Sequence, residues 1–340
     1  MVKKLFSFIM FVLIGVTTLQ AENTAYAYYS NNTLTFRYGE IPANSIQTWD
    51  VSDTGEKIPE WASSGIRNNI ITVVFHESFA LAHPKSCFAW FSDCAFLKGF
   101  IGLEYLNTSD VVNMSRMFSN CTNLSSLDLS LFDTSNLTNI KEMFINCTNL
   151  KSINFGNADF SKVTTMEGLF YGCKWLKSID LTKFKTDNVT TMYCMFFGCE
   201  NVETIDLCNF STSNMTGMGM GAMFSGCKKL TTIYVGDEWS NDRTKNLSNN
   251  TFYNCYSLIG GNGTKYSETH QSALYARIDT NETPGYMTYR KSVSGITIPT
   301  QKENYGIRHY NLSGQIIKNR STGVNIIRMN DGSTKKIIVK

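Results

Sequence analysis

Charged residues are scarce in this chain of 340 residues. They make up 17% of it, against about 25% in an average globular protein. The net charge of +3 is spread along the sequence, whereas a nucleic-acid-binding surface needs a concentrated basic patch. The sequence therefore argues against nucleic acid as a partner. Asn, Ser and Thr replace the missing charges, a composition that favours an exported protein over a cytosolic enzyme.

Long apolar runs are also missing, apart from one at the start of the chain. Lys3 and Lys4 precede an apolar run over residues 5–16, and Ala21 ends a short polar stretch. The run is shorter than the ~20 residues of a membrane span, and the order of segments is typical of a signal peptide. We expect residues 1–21 to be a signal peptide, with an N-terminal anchor or a buried helix as the alternative. The protein is then exported to the cell surface or the extracellular space, and no later segment spans a membrane.

Side chains that could form a catalytic or metal site are few. The chain has four histidines, and its ten cysteines never form a Cys-x₂-Cys pair, which is the spacing that metal sites favour. A nucleophilic cysteine needs a histidine partner, and none lies near Cys194 and Cys199. Gly217, Gly219 and Gly221 imitate a dinucleotide-binding motif, but no strand precedes them. We predict no catalytic residue, no metal site and no cofactor, and hence no enzyme.

The chain does contain an internal repeat. An apolar residue, an aromatic residue, a variable residue, usually Asn or Gly, and then Cys occur in this order seven times. The steps between the cysteines are 27, 26, 26, 26, 28 and 28 residues. A constant period of this size predicts stacked structural units. The cysteines are Cys94, Cys121, Cys147, Cys173, Cys199, Cys227 and Cys255.

The rest of each unit repeats as well. The last four positions of residues 124–129 alternate polar and apolar side chains, which predicts a strand, and the segment returns at 150–155, 176–181, 202–207 and 230–235. Two apolar residues three positions apart, such as Met114 and Met117, suit a short helix or 3₁₀ segment. The predicted fold class is therefore α/β, a right-handed leucine-rich-repeat solenoid. Each repeat of ~26 residues would supply one parallel strand and one short helix or 3₁₀ turn.

The residue pattern of the repeat resembles that of a known family. Residues 123–136 read Asn-Leu-x-x-Leu-Asp-Leu-Ser-x-Phe-Asp-Thr-Ser-Asn, and the repeat also contains Met-x-x-Met-Phe-x-x-Cys, as at residues 114–121. This is similar to the BspA-like leucine-rich-repeat proteins, which are surface proteins of oral and gut anaerobes. The resemblance implies adhesion to host matrix proteins or to bacterial surface proteins. The alternatives are a passive structural spacer of the cell surface and a secreted hydrolase.

The two ends depart from the repeat. We expect an N-terminal cap over residues 22–85, the leucine-rich-repeat solenoid over 86–288, a linker over 289–304 and a small β-rich tail over 305–340. The tail contains Tyr-Asn-Leu-x-Gly and ends in Lys-Ile-Ile-Val-Lys. It resembles the C-terminal sorting domain that the type IX secretion system reads. The alternative is a small β-rich stabilising module.

The cysteines and the outward strand positions complete the expectations. Seven equivalent cysteines cannot all pair, so we predict a ladder of buried free thiols; Cys87, Cys194 and Cys208 lie off it and are the better disulfide candidates. The outward positions, here called the strand face, would form two polar columns in which successive residues are ~4.8 Å apart. We predict that this face binds a partner protein. Its residues are Ser126, Asp128, Ser152, Asn154, Ser178, Asp180, Thr204, Asp206, Thr232 and Tyr234.

Overall fold

The computed structural model describes residues 23–41, 47–51, 55–247 and 249–291, and the backbone of four strands between residues 308 and 339. The expected signal peptide and most of the expected linker lie outside these residues. The chain divides into two compact units, Met1–Ser292 and Val293–Lys340. Each unit is described by itself.

A five-stranded sheet begins the first unit. The hairpin of β1 and β2 turns at Asn31 and Asn32, which have φ angles of 49° and 60°. Asparagine tolerates this left-handed conformation and favours such tight hairpin turns. The strand order is β3-β1-β2-β4-β5, antiparallel within β3-β1-β2 and parallel from β2 to β5. The strands are β1 (Thr24–Ser30), β2 (Thr33–Gly39), β3 (Thr48–Asp50), β4 (Thr72–Phe75) and β5 (Gly99–Ile101).

Short parallel strands mark some of the repeats. Two of them form a two-stranded sheet of β6 and β7, and three form a sheet of β8, β9 and β10. These strands are β6 (Ser126–Asp128), β7 (Ser152–Asn154), β8 (Thr204–Leu207), β9 (Thr232–Val235) and β10 (Met287–Tyr289). The helices are α1 (Glu60–Ser63) and the 3₁₀ segments Arg67–Asn69, Glu77–Leu81, Leu103–Tyr105 and Ala273–Tyr275.

The predicted regular leucine-rich-repeat solenoid is wrong. The described residues between 106 and 272 contain no α-helix or 3₁₀ helix, and residues 176–181 form no strand. The chain instead forms several small sheets joined by turns. The predicted helical positions fail because left-handed residues recur among them, as at Arg116 and Asn120, with φ angles of 56° and 57°. A right-handed helix cannot pass through such residues.

Backbone hydrogen bonds between repeats replace the predicted helices. The N–H of Phe118 donates to the carbonyl of Met143 at 3.0 Å, and the N–H of Phe144 donates to that of Leu169 at 3.1 Å. The same bond recurs from Phe170, Phe196 and Phe224 to the following repeat. Since buried N–H groups must find acceptors, this ladder of turns satisfies them without regular secondary structure.

The core is a set of columns that run through the repeats. The aromatic residues stack on one another with ring centroids 5.6–5.9 Å apart. These rings are almost completely buried, and burial of one such side chain stabilises a protein by about 1.5–3 kcal/mol. The column consists of Phe118, Phe144, Phe170, Phe196, Phe224 and Phe252.

The cysteine ladder is buried, as the repeat pattern predicts. Each thiol from Cys121 onward donates a hydrogen bond to the carbonyl of the phenylalanine one repeat earlier; the distance is 3.0 Å from Cys147 Sγ to Phe118 O. Burial raises the pKa of Cys147 to about 12, so the thiol keeps its proton. None of the ten cysteines forms a disulfide, and this includes Cys87, Cys194 and Cys208, the better disulfide candidates of the sequence.

The second unit has its own antiparallel sheet. Its strands are β11 (Arg308–Tyr310), β12 (Ile316–Ile317), β13 (Gly323–Arg328) and β14 (Thr334–Val339), in the order β12-β11-β13-β14. The longest pairing joins β13 to β14 and runs from Gly323 opposite Val339 to Arg328 opposite Thr334.

Candidate functional site

The strand face lies on the outside of the repeats, but it is not continuous. Ser126 pairs with Ser152 and Asp128 with Asn154 on β6 and β7, and all four are exposed. Thr204, Asp206, Thr232 and Tyr234 lie on β8 and β9, where Thr204 pairs with Thr232 and Asp206 with Tyr234. Ser178 and Asp180 are exposed between the two sheets but belong to neither. The expected column of five adjacent strands is therefore interrupted at these two residues.

The acidic and amide groups of this face also have a structural task. The Oδ1 atom of Asp180 accepts the N–H of Thr182 at 2.9 Å and its hydroxyl at 2.6 Å. Asp128, Asn154 and Asp206 each accept the N–H of the residue two positions later in the same way. Asp and Asn stabilise turns by this bond. Their recurrence after each strand position thus follows from the turn, and these side chains are less free than the alternation pattern implies.

Arg290 covers the C-terminal end of the strand face. Its Nη1 atom lies 2.5 Å from Asp206 Oδ2, and its guanidinium carbon lies 3.4 Å from the centre of the Tyr234 ring. A cation so close to an aromatic face is attracted to it. Arg290 follows β10 directly and stands 84 residues from Asp206, so no short-range pattern could indicate this contact.

One tryptophan stands apart from the others. Trp49, Trp61, Trp90 and Trp239 are buried, whereas Trp175 is 50% exposed. It lies three residues before Ser178, and the exposed Lys174 and Lys177 lie close to it in sequence. The equivalent positions in the repeats before and after hold Asn149 and Asn201. The repeat therefore needs no aromatic residue here. Sequence reasoning missed Trp175, although a tryptophan where the neighbouring repeats carry asparagine was a readable signal.

A pocket of about 270 Å³ with a mixed polar and apolar lining opens on the turns of the first three repeats and includes no residue of the strand face. Its lining combines hydroxyl and amide groups with apolar side chains and the charged groups of Asp93, Arg116 and Glu142. The residues that line it are Ile58, Phe88, Ala89, Ser92, Asp93, Arg116, Ser119, Asn120, Glu142, Ile145 and Asn146.

The charges around this pocket are paired within the protein. Arg67 Nη1 lies 2.6 Å from Asp93 Oδ2, and Arg116 Nε lies 2.6 Å from Glu142 Oε2. A chain of amides links the repeats: Asn146 donates to Asn120 Oδ1 at 3.0 Å, and Asn120 donates to Asp93 Oδ1 at 2.7 Å. Each charged group of the lining therefore has a partner of opposite charge, although Arg67, the partner of Asp93, lies outside the lining.

Two further observations concern metal binding and membrane spanning. Among the residues that the structure describes, no three His, Cys, Asp or Glu side chains are grouped so as to hold a metal ion. Within the same residues, no helix is both long and apolar enough to cross a membrane.

Comparison with known proteins adds a family. The family model described as "Mycoplasma protein of unknown function, DUF285" matches residues 89–157 and 146–260, together just over half of the chain. The chain belongs to the DUF285 family. The matched region contains the turns, the phenylalanine column and the cysteine ladder, so these features form the DUF285 part of the chain. No curated protein and no solved structure is significantly similar to the chain.

Proposed function

We propose that this DUF285 chain is an exported, non-enzymatic protein that binds a partner protein on its strand face. The partners would be host matrix proteins or bacterial surface proteins, and the protein would reside on the cell surface or outside the cell. The signal-peptide pattern over residues 1–21 supports the location. The resemblance to BspA-like surface proteins supports the choice of partner.

The observation that carries the proposal is the exposure of Trp175 beside the strand face. A half-exposed tryptophan contributes little to packing, while tryptophan is among the residues that most often dominate the energy of a protein interface. The exposed polar residues Lys177 and Ser178 follow it two and three positions later in the chain. An interface of standard size needs about 800 Å² from each partner, and a face that spans several repeats offers that area.

The low charge of the face bears on the strength of binding. Asp206 is paired with Arg290, and the remaining charged groups are few, so electrostatic attraction adds little to the association. We therefore propose modest affinity for each molecule and stronger adhesion when many copies share a surface.

The test uses the full chain, immobilised and exposed to extracts of host matrix and of bacterial surface proteins. Trp175→Asn removes the aromatic group and installs the residue that the column already carries at Asn149 and Asn201, so folding should be unaffected. The matched control is Met218→Asn, which removes another exposed apolar side chain (61% exposed) outside the strand face.

We expect Trp175→Asn to weaken capture of a specific protein about 30-fold, since an interface tryptophan typically contributes about 2 kcal/mol. Met218→Asn should leave capture unchanged. Equal capture by the two variants would place the partner on another surface. If the parent protein captures nothing specific, the passive spacer becomes the better interpretation.

A further inference from the structure

The pocket beside the first three repeats arises from a change of side-chain size in one column. The residue two positions before the repeat cysteine is Ser92, then Ser119, then Ile145, and in the next repeat Tyr171. The two serines leave a space that larger side chains would fill, and Ile145 forms part of its wall. The protein thus has a concave site of mixed polar and apolar lining where two serines are adjacent in this column, whereas the later Ser225 stands between Phe197 and Tyr253.

Hydrogen-bonding groups point to the kind of ligand. The hydroxyl-bearing Ser119 is only 4% exposed and lines the pocket together with Ser92, Asn120 and Asn146. Arg116 binds Glu142 through Nε, and a guanidinium carries further N–H donors beyond that one. An apolar ligand would cover these groups without satisfying them, which is unfavourable.

The charged groups of the pocket restrict the class of ligand further. Every charged group of the lining has a partner of opposite charge: Arg116 pairs with Glu142 within the pocket, and Asp93 pairs with Arg67, which lies outside the lining. A charged ligand would lose its hydration here without meeting a net opposite charge. The ligand class that fits is therefore neutral and rich in hydroxyl groups.

We propose that this pocket binds one neutral pyranose ring, as part of a saccharide. The hydroxyl groups of such a ring both donate and accept hydrogen bonds, as the serine, asparagine and arginine side chains of the pocket require. Its C–H faces can pack against Ile58, Phe88 and Ile145. The volume of about 270 Å³ lies at the small end of ligand pockets and suits one ring, so the rest of a longer saccharide would extend into solvent.

This inference goes beyond the proposed protein binding and does not depend on it. The pocket lies on the turns rather than on the strand face, and its test uses free sugars instead of a partner protein. A failure of either proposal leaves the other standing.

The test is titration of the full chain with five neutral sugars (D-glucose, D-galactose, D-mannose, L-fucose and N-acetyl-D-glucosamine) and with D-glucuronic acid, with binding measured by saturation-transfer difference NMR. A ligand of this size should bind with a Kd in the low millimolar range. Ser119→Tyr fills the pocket with a residue that the same column carries at Tyr171. The matched control is Ser225→Tyr, at the same position of a later repeat.

We expect at least one of the five sugars to bind and Ser119→Tyr to weaken it about tenfold or more, a change that Ser225→Tyr does not reproduce. If Ser119→Tyr does not fold, Arg116→Gly decides, because a φ of 56° suits glycine and the variant removes the guanidinium; binding should weaken several-fold. Absence of binding by all five sugars, equal loss in the control, or tighter binding of glucuronic acid than of any neutral sugar would overturn the proposal.

Discussion

The position just before the repeat cysteine offers a sharp test of how the repeats hold together. Gly172 and Gly198 occupy this position in consecutive repeats, and both have a φ of 70°. They differ in what an added Cβ would meet. At Gly172 it would lie 2.5 Å from Asn146 Oδ1, whereas at Gly198 the nearest atom is 3.8 Å away.

The magnitudes follow from this difference. Gly198→Ala should cost only the left-handed backbone strain, about 1 kcal/mol of the free energy of unfolding. Gly172→Ala should cost the same strain and also displace the Asn146 amide from Asn120 Oδ1, a hydrogen bond that is worth about 1 kcal/mol. The total for Gly172→Ala is then about 2 kcal/mol.

A third variant, Gly172→Asn, should be less destabilising than Gly172→Ala although its side chain is larger. Gly172→Asn introduces a larger side chain, but Asn120 and Asn146 already occupy this column with φ of 57°. Its Cβ meets Asn146 Oδ1 just as that of alanine does, but the new amide can donate to Asn146 Oδ1 as Asn146 donates to Asn120, and asparagine tolerates the left-handed region. We therefore expect Gly172→Asn to cost about 1 kcal/mol, less than Gly172→Ala.

Urea unfolding followed by far-UV circular dichroism measures these free energies on the full chain. Equal destabilisation by Gly172→Ala and Gly198→Ala would refute the role of the Asn146 contact. A Gly172→Asn variant that is less stable than Gly172→Ala would refute the amide chain as the link between repeats.

Three further predictions concern the core, the thiols and the acid response. Phe170→Leu should lower the free energy of unfolding by about 2 kcal/mol or more, because the buried ring stacks on a neighbour on each side; a loss below about 0.5 kcal/mol in the same urea assay would contradict the column. A bulky thiol reagent at pH 8 should label only Cys194 quickly, since it is half-buried while the other nine cysteines are buried; Cys194→Ser should abolish the fast phase, and several fast thiols would contradict the burial. Burial works to raise the pKa of Asp279, but hydrogen bonds from Thr264 and from the N–H groups of Gly285 and Asn262 hold it below its usual value. The stability that these bonds give to the charged carboxylate is present above the unfolded pKa near 3.9 and is lost as the pH falls through the lower folded pKa. Asp279→Asn should therefore cost about 1.5–3 kcal/mol at pH 7 and progressively less below pH 4, and an equal cost at both pH values would contradict the assignment.

The sequence predicts the interior of the repeats well because the interior depends on period alone. A residue type that returns every 26 positions, such as Phe144 after Phe118, must lie beside its equivalent once the units stack. The same reasoning predicts the burial of Cys147 and its neighbours in the ladder. None of this depends on the local path of the backbone.

The backbone path could not be predicted in the same way. Met114 and Met117, three residues apart, suit a 3₁₀ turn and a non-helical tight turn equally well, because both bury every third side chain. The Asn or Gly before each cysteine, as at Asn120, was a readable signal for left-handed backbone. The second left-handed position, however, carries Arg116, Glu142 and Cys194, residue types that give no such signal.

On the surface, too, local sequence patterns predict some features and not others. The recurrence of Asp128 and Asp180 two positions before a Ser or Thr was readable as a turn motif rather than as a binding column. The pocket follows from the small Ser92 and Ser119 in their column, but its remaining wall comes from Ile58, whose position depends on the folding of a different segment. Contacts between distant segments of this kind are not encoded in any local pattern.

Binding at the strand face is tested most directly by placing a photoreactive benzophenone side chain at position 178, in place of Ser178, and at position 217, in place of Gly217. Each full-length protein is exposed to the same surface-protein extract, irradiated and examined by mass spectrometry for cross-linked peptides. We predict adducts of one partner protein from position 178 and none from position 217. Cross-links from position 217 alone, or from neither position while the partner is still captured, would contradict protein binding at this face.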